Sequence, residues 1–299
     1  MNDSDSDLQL ILALNLKCRE LKKPAAQGFH LLDTSDNKKI SAKEVKVGLS
    51  KCGKDVSVDR AKKLISHFVP PGGQMNHSQY VRFITSIPKP VLVYWPVHGR
   101  SDFCQAMLVA GNVTYELDTD TANSWPAAKE ETPFGQIPVL HHGDMTIGQG
   151  GAINRYCAKL AGLYPSGVVE QATCDMYLEQ IMDIFSGIFK AYNETDKDTK
   201  IEKWKMLETE FLPKNFKLLE KNLVASGKPF LGGDEINAAD VAFFALYGIY
   251  SKASLDMSIA MADCPKLQEA YDATCKFGGL PNFPKRYLYF SSDPSNPAF

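Results

Sequence analysis

The stretch SIPKP, which ends at residue 90, constrains the fold of this chain more than any other feature. Proline has no backbone N–H and clashes with the preceding helical turn, so Pro88 and Pro90 end any helix that reaches them. A β-type run, VLVYW, follows directly, and a helical run and a second strand-like piece, TYELD, come after it. This order predicts that a helical region ends near residue 88 and that a β-α-β unit begins there.

Helical periodicity dominates on both sides of the β-α-β unit. We predict an N-terminal α domain over residues 1–88, an α/β domain over 89–164 and an all-α domain over 165–299, which together make an α+β multidomain protein. In the first domain the pattern predicts a helix over 8–32 and a helix capped by Ser57. In the last domain, the spacing of Asn237 and Asp240 predicts a variant of the capping box.

The composition excludes several classes of function. The 33 basic and 35 acidic residues nearly balance, so the chain lacks the basic surplus of proteins that bind nucleic acid or anionic membranes. The N-terminus is acidic instead of basic and then apolar, and the most apolar run is too short to span a bilayer. The seven cysteines are scattered without a C-x-x-C pair, which is typical of reduced thiols. We expect a cytoplasmic protein whose partners are small molecules or proteins.

The loop DTSDNKKISAKE in the first domain supplies oxygen ligands in the order of an EF-hand, which it resembles. Ser41 holds the ninth position, and the candidate calcium ligands are Asp33, Ser35, Asn37, the Lys39 carbonyl and Glu44. Lys38 replaces the glycine that this loop type needs at its sixth position, where a left-handed backbone costs about 1 kcal/mol or more. The lysines of the loop also balance its acidic residues, so we expect any binding of Ca²⁺ to be weak.

A second loop of the same register runs from Phe68 to Gln79, with Met75 at the position that Ile40 holds in the first loop. It has no carboxylate at its ligand positions, so we expect it to pair with the first loop and to bind no calcium. Two interpretations stay open for this domain: an EF-hand-like module without calcium that serves packing or docking, and a working calcium switch.

Three segments of the second domain, VYWPVHGRSDF, NSWPAAKEETPFGQIPVL and IGQGGAINRYCAKL, together resemble the thioredoxin-like domain of glutathione transferases. The W-P-x-x-K pattern of Trp125 to Lys129 is similar to the sigma class, which includes glutathione-dependent prostaglandin D synthases and lens S-crystallins. The resemblance implies a thioredoxin-like α/β domain, a helical C-terminal domain, glutathione as co-substrate, a small hydrophobic electrophile as second substrate, and a homodimer.

The resemblance also implies a role for each matching residue. Tyr94 would donate a hydrogen bond to the glutathione sulfur, and Arg100 would support the thiolate electrostatically. Trp125 and Lys129 would hold the glycine carboxylate. Gln136, Ile137 and a cis Pro138 would contact the peptide backbone. The γ-glutamyl end would meet Gln149, Gly150 and, from across the dimer, Asp183. Trp95, His98, Tyr192 and Tyr287 are candidates for the electrophile pocket.

Gly150 departs from the family pattern, which has serine or threonine after the glutamine. The missing hydroxyl removes one charge-assisted hydrogen bond to the γ-glutamyl carboxylate, about 1.5–3 kcal/mol, so we expect weaker glutathione binding. Two functions follow as hypotheses. The first is a glutathione transferase that conjugates electrophiles or isomerises a prostaglandin-type endoperoxide, with calcium control through Asp33 and Glu44. The alternative, which Gly150 favours, is a non-enzymatic binding or structural member of the family.

Overall fold

The computed structural model describes residues 5–20, 28–70, 72–125, 127–250, 255–283 and 287–288. The chain divides into two compact units: Met1–Pro90 with His142–Met145, and Val91–His141 with Thr146–Phe299. The turn at His142–Met145, which the sequence pattern assigns to the α/β domain, therefore belongs to the first unit. Inside that unit, His142 Nε2 lies 2.7 Å from the Pro88 carbonyl oxygen.

The first unit is helical in its described part. Its helices are α1 (Asp7–Glu20), α2 (Phe29–Leu32), α3 (Ala42–Lys51), α4 (Val58–Ile65) and α5 (His77–Ile84). The helix predicted over 8–32 corresponds to α1 and α2, and its residues 21–27 lie outside the described residues. Ser57 caps α4 as predicted, because its side chain accepts a hydrogen bond from the Arg60 N–H.

Two loops of the first unit are paired. Ile40 and Met75 form an antiparallel bridge in which each backbone N–H donates to the other carbonyl at 2.8 Å. Each loop leads into a helix through a capping box, Ser41 with Glu44 before α3 and Asn76 with Gln79 before α5. The predicted pairing of Ile40 with Met75 is therefore confirmed. The core beneath the loops consists of side chains from all five helices, among them Leu10, Leu32, Leu49, Leu64 and Phe83.

Most of a four-stranded sheet, in the order β3-β1-β4-β5, belongs to the second unit, while His142 at the end of β4 and Met145 at the start of β5 belong to the first. Strand β1 pairs in parallel with β3, where Leu92 faces Leu117, and antiparallel with β4, where Leu92 faces Leu140. The strands are β1 (Val91–Val93), β3 (Glu116–Asp118), β4 (Val139–His142) and β5 (Met145–Ile147). The helices of this part are α6 (Asp102–Ala110), α7 (Asp120–Asn123), a 3₁₀ helix (Ala127–Glu131) and α8 (Gly150–Ala161). Helix α6 packs against α8, and Phe103 and Met107 are fully buried.

The rest of the second unit is mostly helical. It consists of α9 (Val168–Tyr192), α10 (Lys197–Met206), a π-helical turn (Leu207–Phe211), α11 (Leu212–Ser226), α12 (Ala238–Phe243), a second π-helical turn (Phe244–Ile249), α13 (Ser258–Met261), α14 (Pro265–Thr274) and a 3₁₀ turn (Leu280–Asn282). Asn237 and Asp240 form the predicted capping box at the start of α12. The sequence pattern did not predict the short parallel pairing of β2 (Val97–His98) with β6 (Tyr287–Leu288), because strands of two residues carry no periodicity.

None of the seven cysteines, all of which lie in the described part of the chain, forms a disulfide bond, in agreement with their scattered positions in the sequence. Within the described part of the chain, no helix combines the length and the apolar character that crossing a membrane requires.

Candidate active site

Tyr94 stands directly after β1, and its side chain is only 6% exposed. Its hydroxyl oxygen accepts a hydrogen bond from the Arg100 backbone N–H at 3.1 Å. Burial raises the pKa of Tyr94 to about 12, although the bond from the Arg100 N–H lowers it in part. The phenol therefore keeps its proton at neutral pH. The oxygen accepts this bond from the backbone, and no described group accepts the Tyr94 O–H, so the hydroxyl can donate to a ligand atom.

Arg100 lies six residues after Tyr94, at the approach to α6. Its guanidinium carbon lies 5.7 Å from the ring centre of Phe185 and 5.6 Å from that of Phe189, so both rings make cation–π contacts with it. The side chain is exposed, and no described carboxylate forms an ion pair with it. Two rings of α9 thus support a positive charge close to the tyrosine.

A cavity of about 550 Å³ lies beside Arg100. Its lining consists of Trp95, Arg100, Trp125, Lys129, Gly135, Gln136, Ile137, Pro138, Gln149 and Gly150. The structure thus brings together eight of the residues that the resemblance implies for catalysis and glutathione binding, with Trp95 from the predicted electrophile pocket. Gly135 was not predicted. Gly135 has a φ of +62°, which glycine adopts without strain, and the sequence signal for this turn is the glycine in PFGQ.

Cations and aromatic rings line one part of the cavity. Lys129 is exposed, and like Arg100 it forms no ion pair among the described residues. Trp95 and Trp125 meet edge to face at 6.5 Å, and the Trp95 Nε1–H donates to the Ala122 carbonyl at 2.9 Å. Two positive charges without carboxylate partners favour an acidic ligand, because binding would neutralise them at little cost in broken ion pairs.

The backbone at the cavity has two unusual conformations. The Ile137–Pro138 peptide bond is cis, as the resemblance implies. Gln149 has a φ of +69°, a region that residues other than glycine rarely occupy, and its Nε2 donates to the Gln136 Oε1 at 3.2 Å. A left-handed conformation such as that of Gln149 persists where the surrounding structure holds it, and such residues cluster at ligand sites.

Gly150 is the first residue of α8, directly after Gln149. A Cβ atom added at Gly150 would meet no heavy atom within 4 Å, so packing does not require glycine there. The N-terminal N–H groups of a helix and its dipole favour a negative ligand group even without a hydroxyl. The absence of serine therefore removes a hydrogen-bond donor and leaves open space in its place.

Tyr94 and the other remaining predicted residues are not part of this cavity lining, although Tyr94 adjoins it through its hydrogen bond with the Arg100 N–H. Asp183 is exposed on α9 and does not line the cavity, so its role across a dimer stays a prediction. His98 is buried, with its Nδ1 3.1 Å from Asp102, and is not part of the lining either. The Tyr192 ring lies 5.0 Å from the Lys200 ammonium. Tyr287 pairs with Val97 through its backbone, and its side chain lies outside the described part.

The carboxylates of the Asp33–Glu44 loop are bonded within the loop. Asp33 accepts from the N–H groups of Asn37 and Lys38 at 3.2 and 2.8 Å. Glu44 accepts from the N–H and hydroxyl groups of both Ser35 and Ser41 at 2.8–3.1 Å. The pKa of Glu44 is lowered to about 2, because these hydrogen bonds outweigh the effect of burial, which alone would raise it.

These bonds bear on the predicted calcium ligands Asp33, Ser35, Asn37, Lys39 and Glu44. In the part of the chain that the structure describes, no three His, Cys, Asp or Glu side chains are grouped to hold a metal ion. Lys38 takes the left-handed conformation of the missing glycine, with a φ of +63°. Only Asp33 and Glu44 of the predicted ligands are carboxylates, and both already accept hydrogen bonds from the loop, so the structure gives no support for a Ca²⁺ site, which needs six to eight oxygen ligands, and the predicted ligands stay a prediction.

Known proteins match the second unit. The family profile "Glutathione S-transferase, N-terminal domain" matches residues 90–159, and "Glutathione S-transferase, C-terminal domain" matches residues 182–278. Neither extends into residues 1–89. The glutathione S-transferase of Dirofilaria immitis is 32% identical over 159 residues, which are 51% of this chain and 73% of that protein.

One further relative and one solved structure of similar fold are prostaglandin D synthases. The hematopoietic prostaglandin D synthase of Gallus gallus is 30% identical over 154 residues, which are 52% of this chain and 75% of that protein. The solved structure of prostaglandin synthase D of Nilaparvata lugens has a TM-score of 0.56 at 24% identity, and the match covers 65% of this chain and 96% of that one. At this identity the solved structure shows the fold alone.

Proposed function

This chain belongs to the glutathione S-transferase family, and we propose that Tyr94 activates glutathione as a thiolate at the cavity beside Arg100. The chain is a glutathione transferase with a thioredoxin-like N-terminal part and a helical C-terminal part in its second unit. The observation that carries the proposal is the hydrogen bond from the Arg100 N–H to the Tyr94 oxygen. Because no described group accepts the Tyr94 O–H, we propose that it donates to the glutathione sulfur.

The proposed chemistry starts from the thiol of glutathione. A free thiol has a pKa of about 8.5, and lowering it by two units takes about 2.7 kcal/mol of differential stabilisation of the thiolate. The Tyr94 O–H and the positive charge of Arg100 would supply this stabilisation, while the thiol proton leaves to solvent. The thiolate sulfur then forms a bond to the electrophilic carbon, and the leaving group departs with its bonding electrons.

The lining residues suit the rest of glutathione. Lys129 and the Trp125 indole are proposed to hold the glycine carboxylate, and the backbone at Ile137 to pair with the peptide. The γ-glutamyl carboxylate would lie at the start of α8, against Gln149 and Gly150. For the γ-glutamyl ammonium we propose Asp183 of a second copy of the chain, which makes the active form a homodimer.

The direct test is conjugation of glutathione to a chlorinated nitrobenzene. Tyr94→Phe removes the hydroxyl, and we expect kcat/KM at neutral pH to fall by about two orders of magnitude, the scale of a lost donor to a developing or bound anion. Tyr164→Phe is the matched control, since Tyr164 packs under Lys159 and lines no part of the cavity. Equal activity of the wild type and Tyr94→Phe would refute the role of Tyr94.

Isomerisation of a prostaglandin-type endoperoxide is the second candidate activity. It is supported by the 30% identity to an avian hematopoietic prostaglandin D synthase and by the Trp125-to-Lys129 pattern. Gly150 favours the third possibility, a member that binds ligands without turnover. Calorimetry with glutathione separates it, because no heat of binding at millimolar glutathione would support that alternative.

For the first unit, we propose an EF-hand-like pair that keeps its shape without an ion. The bridge between Ile40 and Met75, the left-handed Lys38 and the two capping boxes support this proposal. Calcium control of catalysis has no such support, because the two loop carboxylates accept hydrogen bonds from the loop itself. We also propose the domain boundaries near residues 88 and 164, and a cytoplasmic location that suits free thiols.

A further inference from the structure

The loop between Tyr94 and α6 is in close contact with the tyrosine hydroxyl. Besides the hydrogen bond from the Arg100 N–H, Gly99 lies so near that a Cβ at this position would overlap the Tyr94 oxygen. The direction of the Tyr94 O–H therefore depends on where this loop lies. A displacement of a few tenths of an ångström would change the hydrogen bond that orients the hydroxyl.

One buried carboxylate holds this loop. Asp102 is fully buried at the first turn of α6, and it accepts the Gly99 N–H at 2.6 Å. His98 Nδ1 lies 3.1 Å from its other oxygen. The Asp102 N–H in turn donates to the Gly99 carbonyl at 3.0 Å. Asp102 thus forms hydrogen bonds with both the N–H and the carbonyl group of Gly99. The next N–H along the chain, that of Arg100, is the one that donates to Tyr94.

The helical part of the second unit supplies the third bond to this carboxylate. The Tyr250 hydroxyl donates to Asp102 at 3.2 Å, and its ring is fully buried. Burial, with the negative charge of Asp102, raises the pKa of Tyr250 well above its usual value, so it stays protonated and a donor. The Tyr250 ring also packs edge to face on Phe185, which contacts the Arg100 guanidinium.

We propose that Asp102 is a positioning residue of the active site, which holds the Gly99–Arg100 backbone against Tyr94 and is itself held by Tyr250. The inference rests on the proposed function of Tyr94 as the donor to glutathione sulfur. Asp102 does not itself line the cavity, so it acts through the loop. Loss of the carboxylate frees the loop, and the Tyr94 hydroxyl then stabilises the thiolate less well.

The test measures the pKa of glutathione bound to the full-length protein, from the ultraviolet absorbance of its thiolate. In Asp102→Asn we expect this pKa to rise by about one unit, which is a tenfold lower ratio of thiolate to thiol, with KM for glutathione nearly unchanged. A pure charge effect has the opposite sign, because removal of a buried negative charge favours a nearby thiolate. A lowered or unchanged pKa in Asp102→Asn would therefore overturn the inference.

Tyr250→Phe provides a second variant that keeps the charge and the packing of the ring and removes one donor. We expect it to raise the pKa of bound glutathione in the same direction by a smaller amount, about threefold in the thiolate ratio. Asp240→Asn is the matched control: Asp240 is another buried carboxylate at the start of a helix, bonded to Leu231 and Asn237. It should lower thermal stability and leave the thiolate pKa unchanged.

The proposed function and the inference fail in different ways. A wild-type protein that never holds bound glutathione as thiolate near neutral pH would overturn both. A wild-type protein with a lowered thiol pKa, together with variants at Asp102 and Tyr250 that match it, would retain the proposed function and overturn only the positioning role.

Discussion

The start of α8 and the Asp33–Glu44 loop are both polar segments that resemble ligand sites, but they differ in what their polar groups already bind. Around the start of α8, Arg100 and Lys129 line a cavity without ion-pair partners among the described residues. In the loop, Asp33 and Glu44 accept hydrogen bonds from neighbouring N–H and hydroxyl groups. Polar side chains can form a binding site when the folded protein does not already use them in hydrogen bonds or ion pairs.

The largest expected effect concerns Lys129, whose positive charge has no ion-pair partner among the described residues. Lys129→Ala removes the proposed partner of the glycine carboxylate, and we expect the KM for glutathione to rise roughly tenfold to a hundredfold, the scale of one charge-assisted hydrogen bond. Initial rates at varied glutathione measure it. The control is Lys205→Ala, which removes an exposed lysine outside the cavity lining. An unchanged KM in Lys129→Ala would show that this cation does not serve glutathione.

A smaller effect of opposite sign is expected where the site lacks a donor. Gly150→Ser adds a hydroxyl at the start of α8, where a Cβ meets no atom within 4 Å. We expect glutathione to bind about tenfold more tightly, because one charge-assisted bond is restored without a steric cost. Calorimetry measures the affinity, and Gly151→Ser, one residue further, is the matched control. Equal affinity of both variants would place the γ-glutamyl carboxylate elsewhere.

The smallest expected effect concerns the Asp33–Glu44 loop, whose carboxylates accept hydrogen bonds from the loop itself. The folded pKa of Glu44 is about 2, below its unfolded value of 4.5. Deprotonation therefore stabilises the fold, and this contribution is full above pH 4.5 and lost as the pH falls towards 2. Hydrogen exchange over residues 33–44 of the full chain should accelerate across this range.

Glu44→Gln should remove most of that pH dependence and cost about 1 kcal/mol at neutral pH, while Asp55→Asn, at an exposed position, should change neither. Chelator and millimolar calcium should give the same exchange and the same transferase activity in the wild type. Slower exchange in calcium would show that the loop binds the ion. It would contradict the view that the loop carboxylates, unlike the cations near the start of α8, are not available to a ligand.

Local rules were enough to predict much of the fold. The helix starts at Ser57 and Asn237 follow from capping groups within four residues, and the end of the first region follows from prolines that no helix accommodates. The bridge of Ile40 with Met75 could be predicted because two loops of equal register place equivalent positions opposite each other. The family resemblance added the cis bond at Pro138.

Other features depend on contacts between distant segments. The pairing of Val97–His98 with Tyr287–Leu288 joins segments far apart in sequence, and neither is long enough to show a period. In the sequence, Asp102 is an ordinary first-turn acid of α6, and its full burial and its bond to the distant Tyr250 become visible only in the structure. The partners of Asp33 and Glu44 are local, but the ligand spacing of these residues did not show that the loop itself would bond their carboxylates.

The sequence by itself therefore determined which residue types stand at each position of the site, from Tyr94 to Gly150, because family motifs and capping patterns are local. Only the tertiary structure decided which of those groups remain unpaired: it left Lys129 and Arg100 without ion-pair partners at a cavity, and it used the carboxylates of the Asp33–Glu44 loop within the loop. The reason is physical. A polar group binds a ligand through the hydrogen bonds or ion pairs that it does not already form within the folded protein. Which of these it forms depends on neighbours that the chain brings together only when it folds.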